Sequence, residues 1–289
     1  MITESQRAQF ERDGVVVLPR FYDTEREILP ITRSIYELVG ICLEKYGVSY
    51  SRKPFTLETF DDGYLELLKK DRRIGGELYD AVKQIPAFMR LLASEKHEAL
   101  VGSLRGTNLA GIVDRGYGIR MDNPAEPEHL TGWHQDYHGQ LRSLDGLVLW
   151  TPLRSMTQAL GPVNFCVSSH KAGLFPLTCP PENVHQKNTT LYGTGLRMLD
   201  EHRVVQRFEH IAPLLGVGDL AVIDFLTIHC SSSNTSDQAR WSMQLRWFNF
   251  REETGIRNGW PKSYAHGKSF ADVHPELFVA PTKAPEQST

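Results

Sequence analysis

The stretch Trp133-His134-Gln135-Asp136-Tyr137-His138 sets an imidazole and a carboxylate two positions apart. On a β-strand, residues i and i+2 face the same side. Read as part of a strand over Gly132–Tyr137, the stretch lets His134 and Asp136 reach one metal ion together. Gln135 then points away and supports the site from behind. Two histidines and one carboxylate form the facial set of non-haem Fe(II) oxygenases. The stretch therefore asks for a second histidine from elsewhere, because an HxD pair alone means little in a chain with 11 histidines.

That histidine is His229, which ends the apolar run Asp224-Phe225-Leu226-Thr227-Ile228 after a Gly218-Asp219 turn. It lies 95 residues beyond His134 (229 minus 134). Only a fold that pairs distant strands brings the two together, as a double-stranded β-helix does. A satisfied core histidine is the competing reading. The polar run Cys230-Ser231-Ser232-Ser233-Asn234 argues instead for a site at a strand end.

Arg240 follows His229 by 11 residues (240 minus 229) and opens the next strand. An oxygenase of this type needs a reductant for O2. A 2-oxo diacid serves, with its oxo-acid end on the iron and its far carboxylate on a cation. The planar guanidinium fork matches that carboxylate in a bidentate pair. The spacing suits 2-oxoglutarate, and Ser231 can donate its hydroxyl to the same carboxylate.

The strand from Arg240 alternates. Arg240, Ser242, Gln244 and Arg246 share one face; Trp241, Met243, Leu245 and Trp247 share the other. With Arg240 pointing inward, Gln244 becomes a candidate for contact with a polar substrate. Arg246 lies roughly 20 Å along the strand, at ~3.3 Å per residue, where solvent is the alternative surrounding. Arg120, on the strand before the HxD stretch, is a candidate for an anionic substrate group. By strand parity His138 joins the face of His134 and Asp136 and is a further substrate candidate; a turn-exposed histidine before Gly139 is the alternative. His170 reads as structural, bonded within a turn.

The rest of the chain frames these residues. Thr3-x-x-Gln6 is a capping box for a short helix that Gly14 ends. Val15–Leu18 reads as a buried strand. A second helix starts at Asp23-Thr24, with apolar positions Ile28, Ile31, Ile35, Leu38, Val39 and Cys42 at helical spacing and Pro30 early in it. Helical signals dominate from Leu65 to Leu104, with Pro86 opening a new helix. Strands are expected over Tyr117–Asp122, Gly132–Tyr137, Gly146–Leu153, Pro162–Val167, Asp219–Phe225 and Arg240–Phe250. Helices followed by strands give an α+β chain with a mainly β core, a jelly-roll or cupin-like double-stranded β-helix flanked by N-terminal helices. One domain is expected over residues 1–280, with residues 281–289 as a loose tail. Residues 175–207 have weak periodicity and are a candidate lid.

The chain resembles the phytanoyl-CoA dioxygenase family of Fe(II)/2-oxoglutarate oxygenases. The resemblance runs through Phe10-Glu11-Arg12-Asp13-Gly14-Val15, His134-Gln135-Asp136, Trp150-Thr151-Pro152-Leu153, Gly161-Pro162-Val163 and Ser169-His170-Lys171. It ends with His229-x-Ser231-x-x-Asn234-x-Ser236-x-x-x-Arg240, which with the HxD segment is the specific part. It implies His134, Asp136 and His229 as iron ligands and Arg240 with Ser231 on the far carboxylate of 2-oxoglutarate. It also implies Trp150 at the cosubstrate pocket, with O2 as the second cosubstrate. The usual Pro-Gly-Ser-His is here Val167-Ser168-Ser169-His170, a change in a turn. The carboxylate at Asp136 leaves a halide no vacant ligand position, against halogenase variants of the superfamily.

Composition bounds the function further. The chain has 289 residues, 40% hydrophobic and 23% charged, with a net charge of −3. That charge offers no case for nucleic acid or an anionic membrane. The four cysteines form no CxxC pair, so reduced thiols and a cytoplasmic protein are expected. No signal peptide or membrane-spanning run is read. The expected activity is a 2-oxoglutarate-dependent dioxygenase that hydroxylates a small polar metabolite. The rivals are a cupin-like metalloenzyme that does not use 2-oxoglutarate and a non-catalytic metal-binding module. Oligomeric state is not readable.

Overall fold

The computed structural model describes residues 2–126, 129–179, 196–261 and 269–280. Its first third is helical. Helix α1 (Glu4–Asp13) opens on the Thr3/Gln6 capping box and ends at Gly14, whose φ of 75° lies in the left-handed region. A Cβ at Gly14 would sit 2.3 Å from Thr227 Oγ1 and 2.4 Å from the His170 ring, so no side chain fits there. His170 Nε2 meets the Glu11 carbonyl at 3.2 Å, a structural role.

The second helix begins as a π-type turn over Thr24–Ile28, capped by Asp23. It continues as α2 (Leu29–Lys45), with Pro30 in the first turn of that segment. Ile28, Ile31, Ile35, Val39 and Cys42 are buried along it. Each fully buried aliphatic side chain stabilises by roughly 1.5–3 kcal/mol. Helices α3 (Tyr64–Lys70), α4 (Arg73–Val82), α5 (Pro86–Leu92) and α6 (Glu95–Arg105) complete the layer.

The strands are β1 (Val15–Leu18), β2 (Ala110–Ile112), β3 (Gly118–Asp122), β4 (Gly146–Pro152), β5 (Val163–Cys166) and β6 (Leu177–Thr178). They continue with β7 (Arg197–Met198), β8 (His210–Ile211), β9 (Leu220–Asp224), β10 (His229–Ser231), β11 (Arg240–Asn249) and β12 (Phe278–Val279). Among the described residues the larger sheet runs β1-β9-β4-β11-β2, with β3 also paired to β11. The smaller runs β10-β5-β8, and β12-β6-β7 form a third, short sheet. Together the two main sheets make the double-stranded β-helix, with the helices on the outer face of the larger one. One apolar core lies between helices and sheet and includes Val39, Leu149, Met243 and Leu245. A second lies between the sheets and includes Val148, Trp150, Phe165 and Ile223.

One expected strand is absent. The chain at 132–137 makes only an isolated antiparallel bridge, His134 to His229. Asp136 is already helical in backbone (φ −64°, ψ −30°), and α7 (Tyr137–Gln140) follows at once. The reason is tertiary. The partner β10 offers three residues, and the Gln135 carboxamide takes over the pairing beyond them. Its nitrogen donates to Gly173 O (2.8 Å) and Leu226 O (2.7 Å), and its oxygen accepts from Phe175 N (2.9 Å).

Of the candidate lid at 175–207, residues 180–195 lie outside the described residues; β6, β7 and α8 (Glu201–Val205) form its ends. The tail at 281–289 also lies outside them. No described helix is long and apolar enough to cross a membrane.

Candidate metal centre and cosubstrate pocket

The bridge between His134 and His229 is two hydrogen bonds of 3.0 Å, each residue's N–H donating to the other's carbonyl. It sets the two rings side by side, with centroids 4.2 Å apart. Asp136 joins them from the turn into α7. One ligand atom from each of the three lies within 4.8 Å of the others, and all three residues are buried.

The orientation of each ring is set from behind. His134 Nδ1 lies 2.8 Å from Gly132 O, and His229 Nδ1 lies 2.9 Å from Thr227 O. A carbonyl only accepts, so both Nδ1 atoms carry the hydrogen and both Nε2 lone pairs remain available to a metal. Asp136 Oδ2 lies 3.2 Å from His229 Nε2. Its Oδ1 accepts from Arg246 Nε at 2.6 Å.

Electrostatics suit ligation. Burial, reinforced by His229, pushes the His134 imidazole down to about 3, so it is neutral near pH 7. Burial alone would raise the Asp136 carboxyl, but Arg246 and the two histidines outweigh it and hold it well below the usual range. Two imidazole nitrogens and one carboxylate converging on one point fit a divalent first-row metal.

Beside these residues is a cavity of about 290 Å³ between the two main sheets. Strand register builds its wall. Trp150, Gln244 and Ala221 lie in one cross-strand row, and Val148, Arg246 and Ile223 in the next. Trp150, Ser231, Gln244, Arg120 and Arg240 all line it, with His134 and His229. Arg240 is buried; it bonds Asp122 Oδ2 through Nη2 (2.8 Å) and Nε (3.1 Å) and donates from Nη1 to Gly161 O. Gly161 itself has a φ of 74° and would bring a Cβ within 2.5 Å of Ser232 O.

His138 stands apart from the cavity-lining residues. The parity argument for it fails because Tyr137–Gln140 is helical. Its ring is buried, edge-on to Phe270 at 4.9 Å, and burial pushes it down to about 3.

Two residues escaped the sequence reading. Arg246 is 8% exposed rather than solvated and braces the Asp136 carboxylate. Asp122 joins Arg240 to Arg120. The alternation of β11 placed Arg246 on the inner face, and the i, i+2 pair Arg120/Asp122 was equally readable. Neither pattern says which partner waits across the barrel.

Fold and site together define a jelly-roll protein with a pocket beside a candidate two-histidine, one-carboxylate metal centre. The family profile of phytanoyl-CoA dioxygenase (PhyH) matches residues 10–242, and the chain belongs to this family of Fe(II)/2-oxoglutarate-dependent oxygenases. Solved structures agree on the fold. The apoform of EctD from S. alaskensis superposes with a TM-score of 0.57 at 17% identity, covering 88% of this chain and 80% of that one. The non-heme alpha ketoglutarate dependent carbocyclase SnoK from nogalamycin biosynthesis gives 0.54 at 14% identity, covering 90% and 92%. The epimerase SnoN, in complex with Fe3+, alpha ketoglutarate and nogalamycin RO, gives 0.53 at 16% identity, covering 85% and 83%. No curated protein matches the chain by sequence.

Proposed function

We propose that the protein is an Fe(II)/2-oxoglutarate-dependent hydroxylase of a small polar metabolite, such as a sugar, an amino acid or a secondary-metabolite intermediate. Substrate C–H, O2 and 2-oxoglutarate would give C–OH, succinate and CO2. The observation that carries the reading is the convergence of His134, Asp136 and His229 on one buried point at the wall of a pocket that also holds Arg240.

His134 and His229 would hold Fe(II) through Nε2, and Asp136 through its carboxylate. Bound there, the iron supplies the activation of O2 that the side chains cannot. Arg240, with Ser231, would receive the far carboxylate of 2-oxoglutarate. Trp150, Val148 and Ile223 give the pocket an apolar wall that keeps water from the reacting atoms. Gln244, half-buried on the same wall, would orient a polar substrate by hydrogen bonding. Four free cysteines fit a reducing, cytoplasmic setting. One domain over residues 1–280 would carry the whole activity.

Anaerobic addition of Fe(II) and 2-oxoglutarate should raise the weak visible charge-transfer band of the chelate. A panel of small polar metabolites should then reveal one that couples O2 uptake to succinate release. Asp136→Ala should abolish both band and turnover. Coupled turnover by that variant would overturn the assignment. Product analysis separates hydroxylation from desaturation, epoxidation or cyclisation.

A further inference from the structure

Arg240, the proposed anchor for the far carboxylate of 2-oxoglutarate, does not stand alone. It forms a three-member cluster with Asp122 and Arg120, built on paired strands. In the β3/β11 register Asp122 lies opposite Arg240, and Arg120 lies opposite Ser242. Asp122 Oδ2 accepts from Arg240 Nε at 3.1 Å, with Nη2 2.8 Å away in the ion pair. Asp122 Oδ1 accepts from Arg120 Nε at 2.8 Å, with Nη2 2.7 Å away in the ion pair. The carboxylate is thus divided, one oxygen to each guanidinium. Arg240 and Asp122 side chains are 3% and 4% exposed, while Arg120 is 26% exposed.

The charge balance has a consequence. Arg240 and Asp122 by themselves make a neutral buried pair, which offers an incoming carboxylate little net attraction. Adding Arg120 brings the cluster to two positive charges and one negative, net +1. That matches one carboxylate of the cosubstrate. Each of the three Arg120 nitrogens already donates within the protein, which favours a part in this cluster over direct contact with the substrate. Nη1 donates to Thr131 Oγ1 at 2.7 Å, and Nη2 also donates to His129 O at 2.9 Å. These two contacts hold the guanidinium against Asp122 and tie β3 to the segment leading to His134.

We propose that Arg120 is a positioning residue for 2-oxoglutarate. It draws off one oxygen of Asp122, so the Arg240 anchor keeps a net positive charge. Arg120 then acts through Asp122 and belongs to the cosubstrate end of the pocket. The inference rests on the 2-oxoglutarate reading above.

The test measures 2-oxoglutarate affinity anaerobically, from the Fe(II) chelate band and from quenching of tryptophan fluorescence, in folded variants verified by thermal melting. Arg120→Gln leaves the cluster neutral and should weaken 2-oxoglutarate by about tenfold or more, since neighbouring charges at low effective dielectric interact by several kcal/mol. Fe(II) affinity should stay unchanged. Removing the surplus carboxylate as well, in Arg120→Gln/Asp122→Asn, returns the cluster to +1 and should recover most of the affinity. Arg120→Lys should bind close to wild type. In turnover, Arg120→Gln should raise KM for 2-oxoglutarate and leave kcat at saturation within about twofold. A double variant no tighter than Arg120→Gln, or an Arg120→Gln protein that binds like wild type, would overturn the inference alone. A wild-type protein that binds no 2-oxoglutarate would overturn the functional reading beneath it, and the inference with it.

Discussion

The two faces of β11 do opposite work from one ten-residue strand. The outer face meets the helices. Trp241 is fully buried there, edge-on to Phe60 at 5.7 Å and Tyr64 at 5.0 Å, and its indole donates to Asp61 Oδ2 at 2.8 Å. Met243 and Leu245 are fully buried beside it. The inner face carries Arg240, Ser242, Gln244 and Arg246 into the barrel. Apolar burial on the outer face is additive and tolerant of exchange, because it needs only volume and contact. The inner face places charges in a medium where each must find a specific partner. On β11 itself, apolar packing lies on one face and the charged and polar groups of the candidate site on the other.

Breaking the outer face should cost most. Trp241→Ala should destabilise the fold by about 3–5 kcal/mol, read by urea unfolding. The folded fraction should bind 2-oxoglutarate normally; a matching loss of affinity would blur the separation of faces. The outer layer also contains one ionisable group whose state matters. His97 donates or accepts at Tyr22 Oη (2.9 Å), and burial lowers its pKa from 6.5 to about 4. The folded protein thus binds fewer protons than the unfolded chain between those values. Its contribution, complete above pH 6.5, should be lost as pH falls toward 4, by up to about 3 kcal/mol. Melting temperatures across that window should show a shallower slope in His97→Gln.

On the inner face the effects should be ones of affinity. Arg246→Ala removes the donor that fixes Asp136 Oδ1. Fe(II) affinity should fall about 10–100-fold, the usual penalty for losing an outer-shell partner, as titration with Fe(II) or Mn(II) would show. Gln244→Ala should raise KM for the organic substrate by about tenfold, by loss of a hydrogen bond, and leave 2-oxoglutarate affinity alone. Should 2-oxoglutarate weaken equally, Gln244 belongs to the cosubstrate rather than the substrate.

Much of this was legible in the linear pattern. The alternation after Arg240 assigned both faces of β11 correctly, because a strand of period two has only two ways to face. The spacing of His134, Asp136 and His229 pointed to one centre, although by a mistaken route. The expected strand over Gly132–Tyr137 does not form, and His134 and Asp136 converge through a bridge and a helical turn instead. No local pattern reveals that the Gln135 side chain will capture Gly173 and Leu226 and end the pairing there. The solvated alternative for Arg246 failed for a related reason. Distance along a strand says nothing about the HxD segment folding back across the barrel to meet it.

The sequence by itself determined which side chains can do chemistry and which faces they share, since composition and alternation are local properties. Only the tertiary structure decided how the charges are paired. Asp122 meets Arg240 across 118 positions and Asp136 meets Arg246 across 110. Such pairs depend on strand register and sheet closure, which the whole core sets together. The HxD stretch names two of the three candidate ligands; the barrel brings His229 to them and decides what stands behind each.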